Sequence, residues 1–287
     1  MNFSKLFIIL VRGLIVSIVF TKMSGSGNDF IIIDNRESVI ETSAKRDLVS
    51  KICVPKVSVG ADGVIFVESS DKVNFKWDFY NGDGSSAEMC GNGGRCVARY
   101  AYEKNIAPEK MSFETTAGII KAEIKESNVR IKLTSPENLQ RNLDITLNEK
   151  TFRVDCLNTG VPHTIVYTQD IMNENVCGIG RGIRLHPRFS PAGTNVNFVQ
   201  KQGEHELRVR TYERGVEDET LACGTGVVAS ALLASRAGIV EPPVRVQTQG
   251  GEFLTVDFEI ISGSDNFGEV FLEGSAKFVF EGTLVEI

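Results

Sequence analysis

The sequence predicts an α+β protein whose two halves repeat one construction. Three observations predict it. Short β-type runs alternate with turn residues along most of the chain, only two segments read clearly as helices, and the same Cys-Gly-x-Gly unit precedes each of those helices. The two units, Cys90-Gly91-Asn92-Gly93 and Cys223-Gly224-Thr225-Gly226, begin 133 residues apart in a chain of 287, which suggests a duplicated domain.

The chain opens on two apolar runs, residues 6–11 and 14–20, split by Arg12. Each is shorter than the roughly 20 apolar residues that span a bilayer, and no small-residue cleavage site follows. A translation start placed too far upstream accounts for this segment as well as an anchor does, so residues 1–19 are read as an extension without chemistry. Strands are then expected at 30–33, 64–67, 75–80, 119–124, 129–133, 151–157, 164–167, 207–212, 253–258 and 269–272. Within these, Phe75-Lys76-Trp77-Asp78-Phe79 alternates strictly, as a half-buried strand does. Residues 94–104 form the first expected helix, with Val97, Ala98, Ala101 and Tyr102 on its apolar side. Residues 227–237 form the second, apolar almost all round and therefore buried. Asn28-Asp29-Phe30 and Asn195-Val196-Asn197-Phe198 give a fainter echo of the repeat. The breaker run Thr134-Ser135-Pro136-Glu137-Asn138 marks the boundary between the halves, giving expected domains of 20–134 with 275–287, and 135–274.

Composition narrows the function. Apolar residues make up 42% and charged residues 24%, with 31 basic against 37 acidic side chains, so the net charge of −6 speaks against nucleic-acid binding. The six cysteines, at 53, 90, 96, 156, 177 and 223, include no CxxC pair and no histidine at ligand spacing. A structural zinc site is not expected, and reduced thiols in a cytoplasm are. No membrane partner is expected either.

A cysteine ahead of a helix N-terminus sits at the positive end of the helix dipole, which favours thiolate and makes the side chain a usable base. The neighbouring glycines let backbone N–H groups approach an anion such as a carboxylate. One such loop alone is better read as a tight strand-to-helix turn in which Cys and Gly merely pack; two matched copies favour chemistry. Two thiols, one per half, suit a reaction of approximate mirror symmetry, in which one removes a proton from carbon and the other delivers a proton to the opposite face. That is racemisation or epimerisation, and on this reading it needs no pyridoxal phosphate or metal cofactor. A thiol redox switch uses the same pair of residues and is the alternative from another class.

The stretches GSGNDFIIID, FYNGDGSSAEMCGNGGRCVARY, GVPHTIVY, GTNVNFVQ and RTYERGVEDETLACGTGVVA resemble the diaminopimelate epimerases, in order and from Phe20 to the C-terminus. The resemblance implies two pseudo-symmetric domains, each a curved β-sheet or barrel round a central helix, with the site in the cleft between them. It implies a cofactor-independent isomerase that interconverts LL- and meso-diaminopimelate for lysine and peptidoglycan synthesis. Carried over by motif, Cys90 and Cys223 are the catalytic pair, and Gly91, Asn92, Gly224 and Thr225 hold the reacting carboxylate. Asn28, Asn81, Asn195, Glu213 and Arg214 bind the distal groups, His163 and Glu213 tune the thiols, and Phe280 falls at a dimer contact that implies a homodimer. A related amino-acid racemase of the same fold is less consistent, because its first loop normally has His where Asn92 stands. Two positions depart from the family pattern: Val161 replaces an Asn before the Pro-His pair, and Gly63 replaces a frequent Gln. Looser recognition of the distal end is the expected consequence.

Overall fold

The computed structural model describes residues 17–87, 89–261 and 263–285. Most of the N-terminal extension, residues 1–16, lies outside them. Pairing begins at Ile18, two residues ahead of the expected domain start, because Ile18 and Val19 already sit opposite Leu284 and Thr283. The chain forms two compact units: one runs through Val129 and resumes at Ala276, and the other is Arg130–Ser275.

In the first unit β1 (Ile18–Gly25) turns into β2 (Asn28–Asp34) through Ser26 and Gly27, whose φ values of 49° and 93° suit a tight hairpin. Helix α1 (Thr42–Ile52) leads to β3 (Gly63–Glu68), parallel to β2, and β4 (Phe75–Asn81) returns antiparallel to β3. Helix α2 (Gly91–Glu103) then crosses to β5 (Lys110–Thr115), parallel to β4. Strand β6 (Gly118–Lys125) pairs antiparallel with β5, and β7 (Asn128–Lys132) leads out.

The second unit opens with β8 (Glu137–Leu147) and β9 (Lys150–Asn158), antiparallel to each other, and β10 (Pro162–Tyr167), antiparallel to β9. Helix α3 (Val176–Arg184) leads to β11 (Asn195–Gly203), parallel to β10, and β12 (Glu206–Glu213) returns antiparallel. After the short β13 (Asp218–Thr220), α4 (Gly224–Arg236) crosses to β14 (Val244–Gln247), parallel to β12. Strands β15 (Phe253–Ile260) and β16 (Phe267–Ser275) complete the unit. The chain then returns as β17 (Lys277–Leu284), antiparallel to β1 of the first unit.

The duplication is written in the pairing pattern. Strands β1-β2-β3-β4-β5-β6 and β9-β10-β11-β12-β14-β15 both pair antiparallel, parallel, antiparallel, parallel, antiparallel. Each second parallel step is bridged by one buried helix, because parallel neighbours need a long crossover. Helix α4 is buried from Gly226 to Ser235 and packs on six strands, so its apolar circumference reads directly as burial. Helix α2 is buried from Asn92 to Ala101 although it carries Arg95 and Arg99, and Tyr100 faces the core while Tyr102 is exposed. Both helices start three residues earlier than the apolar pattern predicts, because the Gly-rich first turns have no hydrophobic side chains to reveal them.

Helix α3 and strand β8 have no clear sequence signal. The α3 sequence VCGIGRGIR contains three glycines, poor helix formers. Packing overrides propensity: a Cβ at Gly180 would lie 2.5 Å from Tyr212 Cβ, and one at Gly182 would lie 2.8 Å from Leu147. Strand β8 is mostly exposed and twice shifts register against β9, with Asn138 and Asn142 at positive φ, so no alternation survives.

Gly180→Ala tests this packing. Alanine gains up to about 1 kcal/mol of helix propensity, and overpacking costs about 1–3 kcal/mol. The clash is with a β-carbon that cannot swing aside, so the expected outcome is net destabilisation by roughly 1 kcal/mol, read as a lower urea midpoint. A higher midpoint would mean that Tyr212 yields at no cost.

Candidate active site

In the first unit Cys90 is the N-cap of α2, in extended backbone (φ −142°), and its sulfur accepts from the Gly93 amide at 3.4 Å. The β1–β2 hairpin lies directly against this turn. A Cβ at Gly25 would stand 2.9 Å from Cys96 Sγ and 3.2 Å from the Asn92 carbonyl, so only glycine permits the approach. That contact brings Asn28 to Asn92. Fully buried Arg95 donates to Asn92 Oδ1 (2.8 Å) and to Ser26 Oγ (2.8 Å), and Asn92 Nδ2 donates to Asn28 Oδ1 (2.8 Å). Asn28 Nδ2 in turn donates to Asp62 (2.9 Å). The guanidinium can only donate, so it fixes which way each amide along the relay points.

Asn81 ends β4 opposite Gly63, and Gly82 donates to the Asp62 carbonyl at 2.7 Å. Asn81 Nδ2 donates to Ser85 Oγ, just past the NGDG turn, at 3.0 Å. At Gly63 a Cβ would meet the Tyr80 carbonyl at 2.6 Å and Phe79 Cε2 at 2.7 Å. The glutamine frequent in the family does not fit this backbone.

In the second unit Cys223 is the N-cap of α4 (φ −122°), buried, with its sulfur 3.6 Å from Thr225 Oγ1. Thr159 Oγ1 donates to the Thr225 carbonyl at 3.0 Å. His163 on β10 and Asn195 on β11 are direct neighbours in the parallel ladder. Asn195 Nδ2 donates to the Pro162 carbonyl (3.2 Å), and Asn195 Oδ1 accepts from the Arg214 amide (2.8 Å), which pins the turn after β12. Arg214 Nη1 reaches the Ala192 carbonyl at 3.1 Å, and Glu213 accepts from Thr220 at 2.9 Å. Val161, half-buried, offers only its carbonyl, which accepts from the Thr159 amide at 3.2 Å.

Burial drives the electrostatics here. It pushes the Glu213 carboxyl above its usual range, opposed by the Thr220 hydroxyl. It pushes fully buried His163 down to about 3, assisted by the positive charge of Arg214, so the imidazole is neutral at physiological pH. His163 and Glu213, expected to tune the thiols, are both desolvated groups. Asp62, Arg95, Asn197, Thr211 and Thr220 were not among the expected site residues. No local signal marks Arg95 or Asn197, whose partners lie far along the chain. Among the described residues no cluster of three His, Cys, Asp or Glu could hold a metal, and no helix is long and apolar enough to cross a membrane.

Each unit places a cysteine at the N-cap position of a buried helix, and this duplicated α+β fold with its relatives defines the class as an epimerase-type isomerase. The diaminopimelate epimerase family model matches residues 20–138 and 156–279. The diaminopimelate epimerase of Aquifex aeolicus (strain VF5) is 48% identical over 285 residues, covering 93% of this chain and 98% of its own. That of Archaeoglobus fulgidus is 40% identical over 280 residues, covering 93% and 96%. This chain belongs to the diaminopimelate epimerase family. Among solved structures, a Bacillus anthracis phenazine biosynthesis protein of the PhzF family superposes with a TM-score of 0.72 at 14% identity, covering 93% of this chain and 99% of that one. A probable proline racemase from Agrobacterium radiobacter K84 gives 0.67 at 13%, covering 93% and 92%. At these identities the likeness is one of fold.

His163 makes stability pH-dependent. Its folded-state value lies below the ordinary 6.5, so between those values the unfolded chain binds more protons, and stability falls as pH drops. Urea unfolding is expected to weaken from about pH 6.5 to pH 5, above the range where most carboxylates titrate. His163→Gln should flatten that slope; an unchanged slope would place its origin elsewhere.

Proposed function

We propose that this chain interconverts LL- and meso-2,6-diaminopimelate by two-base proton exchange, with Cys90 and Cys223 on opposite faces of the reacting α-carbon. The observation that carries the reading is the repetition of one device: a cysteine capping a fully buried helix at the same point of the pairing pattern in each unit. The thiolate of one cysteine takes the α-proton, and the thiol of the other returns a proton from the opposite side, so the configuration inverts and the two cysteines exchange roles. Negative charge develops on the α-carboxylate during proton removal. The first-turn amides at Gly91, Asn92, Gly224 and Thr225 have no intrahelical acceptor and stabilise that charge. No pyridoxal phosphate or metal is required on this reading.

Asn28, Asn81, Asn195, Glu213 and Arg214 are assigned to the distal amino and carboxylate groups, the guanidinium by a forked pair. Val161 removes one amide that relatives use, and Gly63 another. The activity belongs to lysine and peptidoglycan precursor synthesis, and its reduced thiols suit the cytoplasm. Homodimer formation is assigned to β17, where Phe278, Val279 and Phe280 are all exposed and Phe280 rests edge-on against Phe20 at 5.8 Å. Phe280→Asp is then expected to shift the sedimentation profile to monomer, and an unchanged profile removes β17 from the interface.

Isotope labelling tests the mechanism. A thiol carries one proton, so the acid-side cysteine equilibrates with solvent before substrate binds. In heavy water, early product is expected to carry deuterium at the inverted carbon, with almost none in recovered substrate. Cys90→Ala and Cys223→Ala should each lower epimerisation by about 10²–10⁴-fold, far from additively in combination. Equal early labelling of both pools, or near-normal turnover by either variant, defeats the two-base assignment.

A further inference from the structure

A buried neutral imidazole can donate a hydrogen bond or act as a base at a given nitrogen, and the tautomer decides which. His163 is 1% exposed, and its ring is set by Asn197, which is fully buried on β11. Asn197 Nδ2 lies 3.1 Å from His163 Nδ1 and 3.3 Å from the Thr164 carbonyl, and Asn197 Oδ1 accepts from Thr211 Oγ1 at 2.9 Å. The carbonyl of Thr164 can only accept, so the amide atom facing it is the NH₂ group. The same NH₂ group faces Nδ1, which must then be the unprotonated nitrogen.

The amide is packed against α4. Its oxygen lies 2.2 Å from the place a Cβ would take at Gly226, so the last glycine of Cys-Gly-Thr-Gly is the space that admits Asn197 against the first turn of α4. With Nδ1 accepting, the proton sits on Nε2, and this buried nitrogen has no acceptor among the described residues. A buried polar atom without a partner calls for an explanation, and an acceptor brought by a bound ligand is one.

We propose that Asn197 is a positioning residue that locks His163 as the neutral Nε2–H tautomer, so that Nε2 can only donate a hydrogen bond and the imidazole takes no part as a base. The very low proton affinity of the buried ring supports the neutral state. The tautomer follows from geometry alone; its consequence for turnover rests on the two-thiol reading above.

Nitrogen-15 NMR of protein labelled at histidine tests it. The chain has three histidines, and the His163 signals are those missing from His163→Gln. At neutral pH, unliganded wild-type protein is expected to show Nε2 protonated and Nδ1 bare. Asn197→Asp replaces the donor with an acceptor and should move the proton to Nδ1 or give imidazolium. With circular dichroism unchanged, that variant should lose about 10²-fold in kcat, the usual effect of removing one aimed donor, with a much smaller change in KM. Protonated Nδ1 in the wild type, or an Asn197→Asp protein with the switched tautomer and full kcat, overturns the proposal. A wild-type Nε2–H signal together with fully active cysteine variants would instead leave the tautomer standing and defeat the two-thiol mechanism.

Discussion

The structure depends on one constraint: in each unit a helix is buried around its whole circumference, so its N-terminus is held where the sheet dictates. A surface helix can shift or tilt at little cost. A helix packed on six strands, as α4 is, cannot move without opening the core, since interiors are close-packed and a displacement of a fraction of an ångström is felt as lost contact. The first-turn amides and the capping cysteine inherit that fixity. The glycines serve the same end from the other side, admitting the β1–β2 hairpin to α2 at Gly25 and the Asn197 amide to α4 at Gly226.

Fixing the helix ends brings polar groups into places where water cannot correct their orientation, and the two units solve this differently. Around α2 a fully buried arginine, which can only donate, dictates the sense of Asn92 and Asn28 and ends on the Asp62 carboxylate. Around α4 no such charge is used. A hydroxyl and a backbone carbonyl orient Asn197, and Asn197 orients a neutral imidazole. The caps differ as well, Cys90 accepting from its own helix turn and Cys223 forming no such side-chain cap. A duplicated fold has thus kept its backbone pattern while the supports of its two half-sites diverged.

Much of this was legible in the sequence because it rests on local signals. Each Cys-Gly-x-Gly unit, the apolar circumference of α4 and the strict alternation around Trp77 depend on residues within about a dozen positions of one another, and the repeat emerges when the two units are set side by side. The features that were not legible depend on contacts across the chain. Helix α3 contains three glycines that oppose a helix until Tyr212 and Leu147 are in place, and β8 loses its alternation to register shifts set by β9. Asn197 reads as a polar interruption of a strand until parallel pairing sets β10 beside it. The burial of Arg95 has the same origin, since its partner Ser26 belongs to a hairpin 69 residues earlier.

That distinction bears on which substitutions a half-site tolerates. The thiols are fixed by main-chain geometry, so a changed neighbour alters their surroundings without moving them. Val161, just ahead of β10, and Gly63, the first residue of β3, differ from the family pattern, while the Cys-Gly-x-Gly loops do not. At Gly63 the departure is enforced by packing, because Phe79 and the Tyr80 carbonyl occupy the space a side chain needs. At Val161 nothing comparable encloses the position, which is half-buried and tied only through its backbone. The capping cysteines are therefore anchored in the two cores, while the two departures lie at their margins, one enforced by packing and the other not.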